Sequence, residues 1–122
     1  MHSIQVDPVN TLVEARLSGF FDIAETQRVI DDVRAAVRGL GDRAGQHLSL
    51  YDVKNVEVAP GPTIELLQSA FADPAIRHLW ARKVAFVTPS ALGRMQLKRL
   101  REAREDIGVF ASRAEALAWL LA

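Results

Sequence analysis

Two short segments near the start of the chain alternate apolar and polar residues, the second less strictly than the first, which is the pattern of a half-buried strand. The first contains Ile4 and Val6, and the second runs from Leu12 to Leu17. The stretch Asp7-Pro8-Val9-Asn10 between them is typical of a turn. The pattern therefore predicts an antiparallel hairpin whose second strand ends at Gly19.

The next segment has the spacing of an amphipathic helix. Asp22 and Glu25 form a capping box, in which side chains satisfy free N–H groups of the first helical turn. Gly39 and Gly41 are typical of a helix end. Between these signals, apolar residues recur every three or four positions and so share one helical face. They are Val29, Ile30, Val33, Val37 and Leu40.

Three later runs favour strands. Leu48 to Val53 is rich in β-forming residues and carries Asp52 near its carboxyl end, and Ile107 to Phe110 is the last such run. Val84 to Val87 is continuously apolar, which suits a strand covered on both faces. We therefore expect this strand at the centre of the sheet.

A second helix is predicted from the apolar spacing of Ile64, Leu67 and Phe71. Pro62 is acceptable in its first turn and Pro74 marks its end. A short helical turn is expected over the following residues, Ala75 to Trp80.

Two more helices follow the apolar strand. Thr88 is the predicted N-cap of the third, with Pro89 in its first turn and its end near Glu105. Ser112 and Glu115 form a second capping box, which opens a last helix from Arg113 to about Leu121.

This alternation of strands and helices predicts a single α/β domain over residues 1–122. Strands separated by helices require right-handed crossovers and hence a mostly parallel sheet. The opening hairpin adds an antiparallel edge. The expected fold is a mixed five-stranded sheet with about four helices.

Composition narrows the function classes without choosing one. The 122 residues are 49% hydrophobic, Lys plus Arg and Asp plus Glu number 15 each, and there is no Cys. The charge balance gives no overall field for nucleic acid, and the missing Cys excludes disulfides and thiolate zinc sites. The first residues do not form a signal peptide, and the longest apolar run, Ala116 to Ala122, is too short for a membrane span. We expect a cytoplasmic protein without a transmembrane segment.

Three short motifs accompany this order of elements: Leu17-Ser18-Gly19-Phe20, Tyr51-Asp52-Val53 and Glu115-Ala116-Leu117-Ala118-Trp119-Leu120. With them the chain resembles the STAS superfamily, and within it the bacterial SpoIIAA-like proteins with STAS/SEC14 domains. The resemblance implies a regulatory or binding module. It also implies a phosphorylatable Ser at the start of the helix after the third strand. That motif is missing here, so Thr63 is the one nearby hydroxyl at the helix start.

Ligands of open α/β sheets favour the crevice beyond the carboxyl ends of the parallel strands. The loops expected there supply six candidate ligand-binding residues: Asp52, Lys54, Asn55, Thr88, Ser90 and Arg94. Thr88, Ser90 and Arg94 at a helix start could hold an anion, or could simply cap the helix and lie on its surface. Asp52 could act as a polar ligand or a base, or could bond to the backbone of the following loop.

The SEC14 part of the resemblance implies a lipid or another apolar ligand, for which Phe20, Phe21, Phe71 and Phe86 would line a pocket. Trp119 belongs either to the core or, if exposed beside Leu120, to a homodimer face. The basic residues around the third helix, Arg104 among them, alternate with acidic ones at i,i+4 spacing and are expected to form a solvated face.

No catalytic constellation is visible in the sequence. The three histidines are far apart, and phosphate-loop, nucleophile-elbow and zinc-ligand spacings are missing. We therefore expect a non-enzymatic module without metal or cofactor that binds a protein partner or a small ligand. An apolar-ligand carrier is the alternative, and a small enzyme using Asp52 with Ser90 or Arg94 ranks third.

Overall fold

A computed structural model describes residues 1–57 and 60–122. In these residues five strands form one sheet in the order β1-β2-β3-β4-β5. They are β1 (His2–Asp7), β2 (Leu12–Gly19), β3 (Leu48–Val56), β4 (Lys83–Val87) and β5 (Ile107–Phe110). β1 pairs antiparallel with β2, and every later pair is parallel. The predicted mixed sheet with an antiparallel edge hairpin is confirmed.

Four α-helices accompany the sheet in the described residues: α1 (Ile23–Arg38), α2 (Gly61–Ala72), α3 (Ala91–Lys98) and α4 (Arg113–Leu120). The capping boxes are confirmed, because the side chains of Asp22 and Ser112 accept the N–H groups of Glu25 and Glu115. Short 3-10 turns cover Gly41–Arg43, Pro74–Leu79 and Arg99–Glu102. The turn predicted before Trp80 is therefore present.

The strand order decides which face each helix covers. Neighbouring strands follow one another along the chain, so right-handed crossovers place α1, α2 and α3 on the same face of the sheet. Their apolar sides meet Val13, Val84 and Phe86 there. Of the described helices, α4 alone packs on the opposite face, where Ala116 and Leu120 contact Leu50 and Val87.

Two predicted strand features differ from the structure. β3 continues to Val56 rather than ending near Val53, so Lys54 and Asn55 belong to the strand and not to a loop. The apolar strand β4 is flanked on both sides as expected, but β3 holds the middle of the sheet. A run of apolar residues identifies an interior strand, whereas its place in the order depends on the whole topology.

The third helix begins later and ends earlier than predicted. Its N-cap is Ser90, whose Oγ accepts the Gly93 N–H at 3.1 Å, and not Thr88. Thr88 still donates its N–H to the Phe110 carbonyl and so continues the sheet ladder. At the other end, Gln68 Nε2 donates to the Arg99 carbonyl at 2.9 Å where α3 gives way to the 3-10 turn.

Candidate functional site

A cavity of about 170 Å³ lies between the sheet and the layer of α1, α2 and α3. Most of its walls are apolar. The sheet contributes Leu17, Tyr51, Val53 and Phe86, and the helices contribute Val33, Ile64, Leu67 and Phe71. The cavity follows the strand direction, because its lining includes residues beyond both the carboxyl and the amino ends of the parallel strands.

Three aromatic rings form the middle of the cavity wall. Tyr51 and Phe86 are register partners on β3 and β4, so their side chains leave the same face of the sheet side by side. Their ring centroids are 4.9 Å apart and nearly parallel, and Phe71 of α2 meets both edge-on. Burial raises the pKa of Tyr51 to about 12, so its phenol stays neutral at neutral pH.

At the carboxyl end of the strands the cavity is bordered by three buried threonines. Thr63 Oγ1 donates to the Phe21 carbonyl at 3.2 Å, and Thr88 Oγ1 accepts the Ser90 N–H at 3.3 Å. Thr26, in the first turn of α1, is only 4% exposed, yet its Oγ1 has no hydrogen-bond partner among the described residues. A buried hydroxyl without a partner is costly, so this atom is a candidate contact for a bound molecule.

At the amino end the cavity wall is polar. His47, Trp80 and Arg104 all line it, and each lies shortly before one of three adjacent strands, β3, β4 and β5. The Arg104 guanidinium lies 4.5 Å from the Trp80 ring and donates to the Ala81 carbonyl and to both carboxylate oxygens of Asp106. Trp80 Nε1 is the second buried polar atom without a partner in the described part of the chain.

His47 is 1% exposed, and its pKa is lowered to about 4 by burial and then by the positive charges of Arg104 and Arg82. The imidazole is therefore neutral at neutral pH. Its Nδ1 accepts the Gly45 N–H at 3.1 Å, so the single ring proton sits on Nε2. His47 is thus a hydrogen-bond donor at the amino end of the cavity.

The six predicted ligand-binding residues do not gather at one site. Side chains alternate along β3, so Asp52 and Lys54 share the α4 face with Leu48 and Leu50, away from the cavity. Asp52 accepts the Lys54 N–H at 3.2 Å, which is the backbone role considered for it. Asn55 is exposed near the end of the strand.

The other three candidates lie at the start of α3. Thr88 and Ser90 line the cavity, but their hydroxyls already accept N–H groups of the turn and the helix. Arg94 Nη1 donates to the carbonyls of Thr88 and Pro89. The structure therefore does not bring Asp52 together with Ser90 or Arg94.

Of the four phenylalanines predicted to line an apolar pocket, Phe21, Phe71 and Phe86 line the cavity, whereas Phe20 is 56% exposed. The Thr63 hydroxyl is buried and bonded to the Phe21 carbonyl, so this conformation does not present it to a kinase.

Trp119 is half-buried and packs within its own chain. Its ring centroid is 5.3 Å from that of Phe110, and Lys83 Nζ lies 5.0 Å from the same ring. These contacts belong to the docking of α4 on the sheet.

The prediction that Arg104 belongs to a solvated basic face is wrong. Arg104 is 7% exposed and turns inward, because Asp106 pairs with its guanidinium and the Trp80 ring covers it. His47 and Trp80 were not singled out as ligand contacts. Their positions in the sequence could have indicated the site, because a polar or aromatic residue precedes each of three neighbouring strands.

A partly buried ion pair on the other face was also missed. Glu14 is 6% exposed and receives two hydrogen bonds from Arg113, at 2.7 and 3.0 Å. These bonds outweigh burial and hold the pKa of Glu14 below its usual value. The pair joins β2 to the start of α4 across 99 residues, a separation that leaves no local pattern.

Within the described ranges, no three His, Asp or Glu side chains gather closely enough to hold a metal ion. None of the helices described combines the length and apolar character that a bilayer crossing requires.

No protein-family model matches the chain, and no curated protein matches its sequence. Solved structures do match its fold. One is the crystal structure of an uncharacterised protein of the DUF3478 family, with a SpoIIAA-like fold, from Shewanella loihica PV-4. It has a TM-score of 0.68 and 13% identity over 98% of this chain and 93% of that chain.

A second match is the anti-sigma factor antagonist SpoIIAA in its unphosphorylated form. Its TM-score is 0.61 at 14% identity, over 98% of this chain and 96% of that chain. Together the two matches show that the chain has a SpoIIAA-like fold, which confirms the resemblance inferred from its motifs at the level of fold.

Proposed function

We propose that this SpoIIAA-like domain is a binding module that holds a small apolar molecule between its sheet and its crossover helices. The observation that carries the proposal is the cavity, with its three-ring aromatic wall and, among the described residues, two buried side-chain polar atoms without a partner. Binding pockets in proteins are mostly apolar with a few placed polar groups. The proposal contains no catalytic step, because Asp52, Ser90 and Arg94 do not converge.

The size of the cavity sets the size of the ligand. Its volume is about 170 Å³. An engineered apolar cavity of roughly 150 Å³ in another protein stays dry and binds benzene or xenon. We therefore expect a ligand whose buried part is close to one aromatic ring.

Benzene is a suitable first probe. Titration followed by ¹H–¹⁵N correlation spectra is expected to shift resonances of cavity residues such as Tyr51, Ile64 and Phe86, and to raise the melting temperature as benzene concentration rises. Ala70→Leu places a larger side chain in the cavity wall and is expected to abolish both effects. Ala72→Leu is the matched control, because Ala72 is an exposed residue of the same helix.

Benzene shifts scattered over the surface, or an equal response of both variants, would contradict the proposal. An unchanged spectrum at benzene saturation would contradict it as well.

A second candidate function is protein binding at the carboxyl edge of the sheet, as the regulatory interpretation of the sequence expects. Its support is a set of large, exposed apolar side chains on the loop after β2 and the starts of α1 and α3. They are Phe20, Ile23, Leu92 and Met95, each more than half exposed. One structural match, SpoIIAA, is an anti-sigma factor antagonist.

Sedimentation velocity tests whether the partner is a second copy of this chain. Self-association that Leu92→Glu abolishes and Leu121→Glu leaves intact would support the edge, because Leu121 is also exposed but follows α4. Self-association with the opposite sensitivity would place the interface elsewhere, and a monomer at all concentrations would exclude the homodimer.

A further inference from the structure

The two side-chain polar atoms that have no partner in the described part of the chain lie toward opposite ends of the cavity. Thr26 is in the first turn of α1, next to the carboxyl ends of the strands, and Trp80 precedes β4 at their amino ends. A hydroxyl both donates and accepts, so Thr26 places no condition on a ligand. An indole nitrogen only donates, so Trp80 requires a ligand atom that accepts a hydrogen bond.

The neighbours of Trp80 reinforce its donor character. His47 is neutral and carries its proton on Nε2, and Arg104 has donors and no acceptor. All three side chains line the same end of the cavity. A polar ligand atom that contacts these three side chains meets donors from three segments and must therefore be an acceptor.

The charge at this end selects a neutral acceptor. Asp106 already pairs with the Arg104 guanidinium through two hydrogen bonds, so the positive charge is compensated. A carboxylate would be buried beside Asp106, whereas the other cations of this end, Arg77 and Arg82, are exposed side chains, so burying its charge would be costly. A carbonyl oxygen satisfies the donors without adding charge.

The site is also preorganised. Two guanidinium groups lie against the Trp80 ring, with Arg104 at 4.5 Å and Arg77 at 5.1 Å from its centroid. A ring fixed in this way loses little freedom when its N–H gains a partner, which favours binding.

We propose that the ligand of this cavity is a small aromatic or apolar carbonyl compound whose oxygen accepts the Trp80 Nε1–H at the amino end of the strands. The inference rests on the proposed function and adds to it the chemical class and orientation of the ligand. The ring of such a compound contacts the Tyr51, Phe71 and Phe86 wall, and its oxygen points toward Trp80 and His47.

Acetophenone and α-methylstyrene test this proposal, since they share one shape and differ in a carbonyl oxygen against a methylene group. Trp80→Phe removes the N–H and keeps an aromatic ring. We expect Trp80→Phe to weaken acetophenone binding about tenfold, and to change α-methylstyrene binding less than about twofold. The difference between the two ligands removes any general effect of the substitution on the cavity.

A second measurement uses the unmodified protein. Acetophenone is expected to move the Trp80 indole N–H resonance downfield and α-methylstyrene is not, with the Trp119 indole N–H as internal reference. This measurement holds even if Trp80→Phe fails to fold.

The outcomes separate the two proposals. Binding of both compounds with equal sensitivity to Trp80→Phe and no shift of the indole proton would overturn the carbonyl proposal and leave the apolar cavity standing. Binding of α-methylstyrene alone would do the same. Failure of benzene, acetophenone and α-methylstyrene to bind would overturn both. Benzoate is expected not to bind. Tight benzoate binding would overturn the inference of a neutral acceptor and indicate a charged one.

Discussion

At the scale of single residues, two of the three buried threonines that border the cavity differ in one respect. Thr63 Oγ1 donates to the Phe21 carbonyl, whereas Thr26 Oγ1 has no partner in the described part of the chain. A buried polar group without a partner lowers the stability of the folded protein by about 1–3 kcal/mol. Removing a hydrogen bond that is already made lowers it as well. Replacing Thr with Val at these two positions is therefore expected to change the free energy of unfolding in opposite directions.

We expect Thr26→Val to raise the free energy of unfolding by about 1 kcal/mol and Thr63→Val to lower it by about 1 kcal/mol. Urea denaturation of the ligand-free protein measures both values. A loss of stability in Thr26→Val equal to that in Thr63→Val would mean that the Thr26 hydroxyl has a partner in solution.

His47 makes the stability depend on pH. Its pKa is about 4 in the folded protein, against 6.5 without the surroundings of the fold. Between these values the unfolded chain binds a proton that the folded protein does not, so stability falls as the pH drops from about 6.5 to about 4. The full loss is on the order of 3 kcal/mol.

The test compares the pH dependence of unfolding in the wild type and in His47→Asn. Asn offers an oxygen near the position of Nδ1 for the Gly45 N–H but does not titrate. We expect the difference between the two proteins to change across this pH window and to level off above pH 6.5. A constant difference would show that His47 does not titrate in that range.

At the scale of elements, local patterns predicted most boundaries, because caps and turns are properties of a few adjacent residues. Asp22 and Ser112 are N-caps as predicted. Thr88 was wrongly predicted as a cap, because a strand-like hydrogen bond to the Phe110 carbonyl holds its backbone in the sheet. A cap signal next to a strand end is ambiguous until the strand pairing is known.

The docking of α4 depends on a glycine in β5. A Cβ added at Gly108 would lie 2.7 Å from Phe110 and 3.2 Å from Trp119. We expect Gly108→Ala to displace these rings, lower the free energy of unfolding by about 1–3 kcal/mol and change the Trp119 fluorescence.

Gly61→Ala is the matched control for this substitution. Gly61 is the first residue of α2, and nothing lies within 4 Å of an added Cβ. We expect a change within about 0.5 kcal/mol. Equal losses in both variants would rule out crowding by the aromatic pair as the cause.

At the scale of the whole molecule, the fold class followed from the alternation of strands and helices, but the site did not. The face that Asp52 occupies depends on the register of β3, and the cavity depends on how three helices pack over the sheet. The burial of Arg104 depends on Trp80, which is 24 positions away in the sequence. Such relations join distant residues and leave no periodicity in the sequence.

The cavity also affects the response of the whole molecule to pressure. Unfolding eliminates internal voids, and volume changes of unfolding are about −20 to −100 mL/mol and scale with void volume. We expect Ala70→Leu to make the volume change less negative and Ala72→Leu to leave it unchanged. High-pressure fluorescence measures both, and a volume change unaffected by Ala70→Leu would mean that the added side chain does not occupy the void.

One face of the sheet depends on a single helix that follows all five strands along the chain. Leu12, Leu50 and Val87 are covered there by Ala116 and Leu120 of α4. During synthesis on the ribosome, the strands emerge and can pair while this apolar face is still open to water. The nascent domain is therefore most exposed to aggregation, and most in need of a chaperone, in the interval before α4 emerges.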